Sequence, residues 1–220
     1  MICRKTELIA KEGWRYILAF VLLALFSLAF DLELFSFLFF ILAVLFAYIF
    51  RNPERVPYEF DEMSLLSPID GKVTYIGKVY EGDIYKKDML LISIKSSVLD
   101  LSIYRNPADL TIKKTIPTHG LFLDSRSSKA KYLNERVEII AKKDDIDLFI
   151  RVIAGRYAKK IYAFCSDFKK VRLGDRSLLV TDGTIDIYLP VEFRAKVALQ
   201  ERVRSGESVL GYFLKTDAKK

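Results

Sequence analysis

Histidine is almost missing from this chain: among 220 residues only His119 carries an imidazole. That scarcity excludes paired-histidine sites and most zinc constellations, which draw on several imidazoles and thiolates. Two lone thiols, Cys3 and Cys165, supply neither a disulfide framework nor a metal-ligand cluster, and they fit a reducing compartment. No metal is expected. Charge of one sign is never concentrated either; the formal net charge of +7 is spread along the chain. This argues against a nucleic-acid partner and suits a surface facing anionic lipid.

Apolar residues are plentiful, at 51% of the chain, and unevenly placed. Residues 16–30 and 34–50 are nearly all apolar and are separated by Asp31-Leu32-Glu33. As helices they would span roughly 22 and 26 Å, against a hydrocarbon core of about 30 Å. Trp14, Tyr16 and Tyr48 stand where interfacial anchors belong, and flanking residues can lengthen each span. Arg4, Lys5, Lys11 and Arg15 precede the first run, and Arg51 and Arg55 follow the second. The positive-inside bias then puts both ends in the cytoplasm and Asp31 and Glu33 outside. No small-residue cleavage site follows the first run, so a signal peptide does not fit. The expectation is an N-terminal transmembrane α-helical hairpin over residues 1–50, with helices at about 14–30 and 34–50, in the inner cell membrane. Residues 51–220 would form a globular domain facing the cytoplasm.

Composition changes at Arg51, and Pro53, Pro57 and Pro68 keep the connection extended. Strand patterns follow at residues 72–76, 89–94, 100–104, 110–114, 137–141, 147–152, 185–189, 195–199 and 208–212, with turn residues in most gaps. Residues 154–164 are the one stretch with a helical character. The fold class is therefore mainly β, antiparallel and sandwich-like. Val79-Tyr80-Glu81-Gly82-Asp83 and Val203-Arg204-Ser205-Gly206-Glu207 share V-x-x-G-[DE], which predicts two similar hairpins.

The chemistry-bearing stretch is Thr181-Asp182-Gly183-Thr184-Ile185-Asp186-Ile187-Tyr188-Leu189-Pro190. A hydroxyl residue directly after a glycine in a tight, strained turn can attack the preceding carbonyl. The amide becomes an ester, which is one route to a catalytic N-terminus. A turn that merely opens a strand is the plain alternative.

Phe50-Arg51-Asn52-Pro53-Glu54-Arg55 stands directly after the second apolar run. Ser67-Pro68-Ile69-Asp70-Gly71-Lys72-Val73 resembles S-P-x-D-G-x-V, and Ile103-Tyr104-Arg105-Asn106-Pro107-Ala108-Asp109-Leu110 resembles I-F-x-S-P-x-D-V. Asn134-Glu135-Arg136 matches N-E-R, and residues 153–161 resemble I-A-G-x-x-A-R-R-I. Gly174-Asp175-Arg176 with residues 181–190 resembles G-E-R, then F-G-S-R-V-D-V-Y-L-P. Taken in order, these segments resemble the phosphatidylserine decarboxylase family in its short, membrane-hairpin form, the first being similar to that form's junction after the hairpin.

The resemblance implies a lipid lyase that makes its own cofactor by cleaving a Gly-Ser bond, leaving a pyruvoyl group. That carbonyl takes up the amine of phosphatidylserine, an amino phospholipid, and phosphatidylethanolamine results. It further implies an Asp and a His assisting the cleaving serine, and a phospholipid membrane as partner. Asp70 sits at the acid's position, although on its own it also reads as a turn residue. The family's D-V-H-V-N-R, laid on Asp109-Leu110-Thr111-Ile112-Lys113-Lys114, puts Thr111 at the base position. The cleaved pair becomes Gly183-Thr184.

Threonine retains a hydroxyl, so cleavage would leave a pyruvoyl-like 2-oxobutanoyl group from Thr184, without an imidazole to help it. His119 would substitute if it lay on a strand facing Thr111, and Asp182 is a second substitute base. The reading is a decarboxylase of an amino phospholipid in phosphatidylethanolamine synthesis, and a homo-oligomer is compatible with it. The alternative is an uncleaved, inactive relative that binds phospholipid or a partner enzyme. A carrier domain is disfavoured, because neither V-x-x-G-[DE] repeat frames a lysine for modification.

Overall fold

The computed structural model describes residues 9, 11–51, 53, 55, 57, 61–124, 127, 129–158, 161–163 and 169–214. The chain divides into two compact units, Ile2–Glu54 and Arg55–Lys220.

The first unit is a helical hairpin of α1 (Lys11–Ala29) and α2 (Glu33–Ile49). Asp31 turns the chain at φ 56°, a left-handed conformation that aspartate tolerates better than most residues. At the open end Gly13 lets the helices meet, since a Cβ there would strike the Phe50 ring. Tyr16 packs on Phe46 and Phe50 with centroids 5.4 and 5.9 Å away. Elsewhere the hairpin shows large apolar side chains outward, among them Phe26, Leu34 and Phe37. No helix among the described residues is long and apolar enough to cross a membrane. The 19 and 17 residues of α1 and α2 reach about 28 and 26 Å, and Lys11 and Arg15 occupy the start of α1. The hairpin is present, but its expected crossing of a bilayer finds no support in helix length.

The second unit is mainly antiparallel β. Its strands are β1 (Ser64–Leu66), β2 (Gly71–Glu81), β3 (Lys87–Ser96), β4 (Ile103–Arg105), β5 (Leu110–Thr118), β6 (Arg136–Lys143) and β7 (Ile146–Ala154). They continue as β8 (Tyr162–Ala163), β9 (Lys170–Val171), β10 (Arg176–Leu179), β11 (Gly183–Leu189), β12 (Arg194–Ala195), β13 (Arg202–Val203) and β14 (Val209–Tyr212). One short helix, α3 (Ala130–Leu133), precedes β6. The central sheet has the order β13-β2-β3-β11-β7-β6-β5-β9, and two small sheets, β1-β14-β12 and β4-β10-β8, complete the unit. The main core includes Ile92, Ile150 and Ile187 from the central sheet with Leu65, Leu178 and Leu210 from the small ones.

Directly opposed residues of antiparallel strands share a face, so the registers define both faces of the central sheet. Val73, Ile94, Ile185, Val152 and Val137 form an inner row, every member buried and each worth about 1.5–3 kcal/mol on burial. One residue along, Lys72, Lys95, Thr184, Ile153 and Arg136 form an outer row.

Three expectations change. Residues 155–158 form a turn instead of a helix after β7, and Tyr162–Ala163 is strand; residues 159, 160 and 164 lie outside the described residues. The strand expected at 195–199 ends at Ala195, because Lys196 N–H already bonds to the Leu210 carbonyl and a turn follows. The first V-x-x-G-[DE] segment is a hairpin turn in which buried Glu81 accepts the N–H groups of Asp83, Ile84 and Tyr85 at 2.9, 3.0 and 2.6 Å. The second links β13 to β14, which pair in different sheets, so the echo is not structural.

Candidate functional site

Thr184 is half-buried on the outer face, and Gly183 begins β11. Gly183 is opposed by Ser96 and Ala154, and Thr184 by Lys95 and Ile153. Strands on both sides hold this peptide in an extended ladder. The left-handed glycines among the described residues are Gly174 and Gly206, not Gly183. The expected strained turn is thus corrected to regular strand. A Cβ at position 183 would collide with the Ile153 carbonyl oxygen, so the site admits glycine alone.

Asp70 is buried and fully engaged. Arg55 forks onto it, with Nη1 on Oδ1 and Nη2 on Oδ2 at 2.9 Å, and Ser205 N–H donates to Oδ1 at 2.8 Å. Burial opposes the Arg55 charge, yet the hydrogen bond and charge of Asp70, with Glu207 beyond, hold its pKa above the usual value. Gly71, the residue after Asp70, opens β2, two strands from β11 and about 10 Å away at normal spacing.

Thr111 is remote from Thr184. It pairs with Lys142, which pairs with Asp147 on β7, whereas Thr184 pairs with Ile153 at the other end of β7. The offset is about 20 Å along the strands, besides three strand spacings. His119 follows β5 at the end opposite Thr111, so the two cannot face each other as expected. Its side chain is 84% exposed, with Nδ1 3.8 Å from Glu135. Three strands separate it from Thr184, about 14 Å. Asp182 is nearest, but its Oδ2 accepts Tyr157 N–H at 3.1 Å, and Gly155 packs against the carboxylate without room for a Cβ. No candidate base is brought to the Thr184 hydroxyl.

The structure instead joins three motif segments through the backbone. Arg105 N–H bonds to the Pro68 carbonyl at 2.8 Å, and Val180 N–H to the Ser102 carbonyl at 2.9 Å. Position 102 is therefore tied to the strand leading into Gly183. D-V-H-V-N-R fits Asp100-Leu101-Ser102-Ile103-Tyr104-Arg105 better, matching its Asp and its Arg, whereas residues 109–114 match only the Asp. On this register Ser102, not Thr111, takes the histidine's place. Counting back from the shared V-D-V-Y-L-P without a gap puts Gly183 at the serine and Asp182 at the glycine. Ungapped counting was the signal available in the sequence. Ser96 and Ser102 are 1% and 2% exposed, and their hydroxyls have no hydrogen-bond partner among the described residues.

Alternation along β11 also puts Asp186 beside Thr184 on the outer face. Asp186 is buried, accepts the Ser93 hydroxyl and lies 3.8 Å from Lys131. Next to it Arg151 donates to Glu138 at 2.8 Å and Asp83 at 2.7 Å. Burial works against this guanidinium, but the Asp83 hydrogen bond, the Tyr188 oxygen and Glu138 together raise its pKa.

The profile of the phosphatidylserine decarboxylase family matches residues 42–211. Similar proteins named phosphatidylserine decarboxylase proenzyme come from Desulfotalea psychrophila, 31% identical over 94% of this chain and 97% of the relative, and Geobacter sulfurreducens, 35% identical over 79% and 80%. A third, from Geobacter sp. (strain M21), is 33% identical over 92% and 95%. The chain belongs to the phosphatidylserine decarboxylase family, and membership supports a role connected with phospholipid decarboxylation.

Proposed function

We propose that this chain serves phosphatidylserine and phosphatidylethanolamine metabolism as an uncleaved relative of the decarboxylases, binding amino phospholipid rather than decarboxylating it. One observation carries this reading. Counted from the shared strand, the place of the cleaved serine is Gly183, where the Ile153 carbonyl leaves no room for a side chain.

The family's 2-oxoacyl group supplies a carbonyl that takes up the substrate amine and the electrons released with carbon dioxide. The residues here do not fit the making of that group. Thr184, the hydroxyl residue that follows Gly183, is on the outer face in an unbroken ladder, and the carboxylate of Asp70 is committed to Arg55 and Ser205. A 2-oxobutanoyl group from Thr184 therefore remains only as the outcome that would overturn the proposal.

The hairpin of α1 and α2 enters lipid in this reading, supported by its outward apolar side chains. Its flanking arginines and lysines favour the cytoplasmic side of the cell membrane.

Intact mass of the detergent-purified protein tests the proposal. A single species near 25.4 kDa is expected. Two chains joined at Gly183 and Thr184 in the sequence, with the smaller trapped by a carbonyl-reactive amine, would establish self-cleavage and overturn it.

A further inference from the structure

The outer row containing Thr184 extends beyond Lys72. Arg202 on β13 is directly opposite Lys72 on β2, and Lys72 is directly opposite Lys95 on β3, which is directly opposite Thr184 on β11. Three cations thus lie side by side on neighbouring strands and end at a hydroxyl. Like charges directly opposite one another in a sheet are unfavourable, with Cβ atoms only about 5 Å apart. Arg202 has Asp100 at 3.3 Å and is 76% exposed. Lys72 and Lys95 have no ion pair among the described residues. Other cations on this face are compensated: Arg136 by Glu138 at 3.4 Å, Lys131 by Asp186 at 3.8 Å, and Arg151 by Glu138 and Asp83.

We infer that Arg202, Lys72 and Lys95 form a binding row for the phosphodiester of an anionic phospholipid headgroup, with the Thr184 hydroxyl as its terminal donor. The inference rests on the phospholipid-binding reading above and supplies the residues for it. A phosphodiester offers acceptor oxygens that each cation and the hydroxyl can share, and its charge relieves two adjacent like-charge pairs. The half-buried position of Lys95 strengthens that attraction over a fully exposed pair. A lipid is the source favoured by the exposed Tyr75 on the next outer row, 43% accessible and opposed to Ser93. Its ring gives the glycerol and ester region an amphipathic contact that free phosphate does not need.

The test uses the full chain in non-ionic detergent, titrated with dihexanoyl phosphatidylserine, dihexanoyl phosphatidylglycerol and inorganic phosphate. Adducts are read by native mass spectrometry and stability by thermal unfolding. Lys72→Gln/Lys95→Gln/Arg202→Gln should bind both anionic lipids about tenfold more weakly. The charge-keeping Lys72→Arg/Lys95→Arg and the distant Lys113→Gln/Lys114→Gln should bind as the unmodified chain does. Without lipid, Lys72→Gln/Lys95→Gln, which spares the Arg202–Asp100 pair, should melt no lower than the parent, since repulsion has been removed. Unchanged lipid affinity in the triple variant would overturn the inference, as would inorganic phosphate stabilising the parent as well as lipid does. A lower melting point of that double variant without lipid would also overturn it, by showing that the two lysines already have partners. The same spectra report chain cleavage separately, so a cleaved protein that still binds through the row would sink the uncleaved reading alone.

Discussion

The two faces of the central sheet are one residue apart in sequence and opposite in character. The inner row through Ile185 is apolar and buried on every strand from β2 to β6. The outer row through Thr184 mixes cations, a hydroxyl and one isoleucine. Between them they separate what holds the domain together from what gives it an identity. The inner face preserves the family's framework, visible in the match of Ile185, Ile187 and Leu189 to its strand pattern. On the ungapped register the family's histidine and serine are replaced by Ser102 and Gly183, both small and both buried.

The contrast is broken most severely from the inner side. Ile187 is fully buried, and Ile187→Ala should cost about 2–5 kcal/mol in transfer and cavity terms. Thr184→Ala, on the outer face of the same strand, should stay within about 0.5 kcal/mol. Denaturant unfolding in detergent compares the two, and equal losses would show that the faces are not energetically distinct.

A second, smaller effect sharpens the picture, because the outer face has a structural centre of its own. Arg151→Ala leaves Glu138, whose side chain is only 13% exposed, with Arg136 alone at 3.4 Å, and should cost about 3 kcal/mol. Adding Glu138→Gln should recover part of that loss, since a buried charge left with one partner is then removed. No recovery would mean that Arg151 acts mainly through its packing on Phe149 and Tyr188, 5.1 and 5.8 Å from those ring centroids.

The strands were largely legible because period-two alternation is a direct imprint of burial on one face. The long strands β2, β3, β6, β7 and β11 each contain a stretch that alternation marks. Short pairings such as β8 and β9, of two residues each, leave no such imprint and depend on neighbours distant in sequence. The hairpin was legible as two apolar helices, but hydropathy does not report where a helix starts. The site was legible only as a set of motifs. The motif register singled out Thr111 and residue type His119, yet a strand of nine residues separates their surroundings. Asp70 stood out through its motif, while its bond to Arg55 depends on a fold that sequence spacing does not reveal.

The smallest expected effect concerns the tyrosines that close the outer face. Burial, reinforced by Asp186, lifts the Tyr188 pKa to about 12, with Arg151 pulling the other way. Burial, with Asp147 and Glu81, does the same for Tyr85, also to about 12. The unperturbed value is 10.0, so below pH 10 both phenols keep their protons in folded and unfolded chains alike and their stabilising contribution is intact. From pH 10 upward the unfolded chain ionises first, which draws the equilibrium toward unfolding until the folded phenols titrate near pH 12. Melting temperature should therefore fall across this window, and the fall should be shallower in Tyr188→Phe than in the parent. The same slope in both would show that the Tyr188 hydroxyl ionises as freely in the folded sheet as in the open chain. The outer face would then be wet where Phe149 and Tyr188 now pack at 5.0 Å.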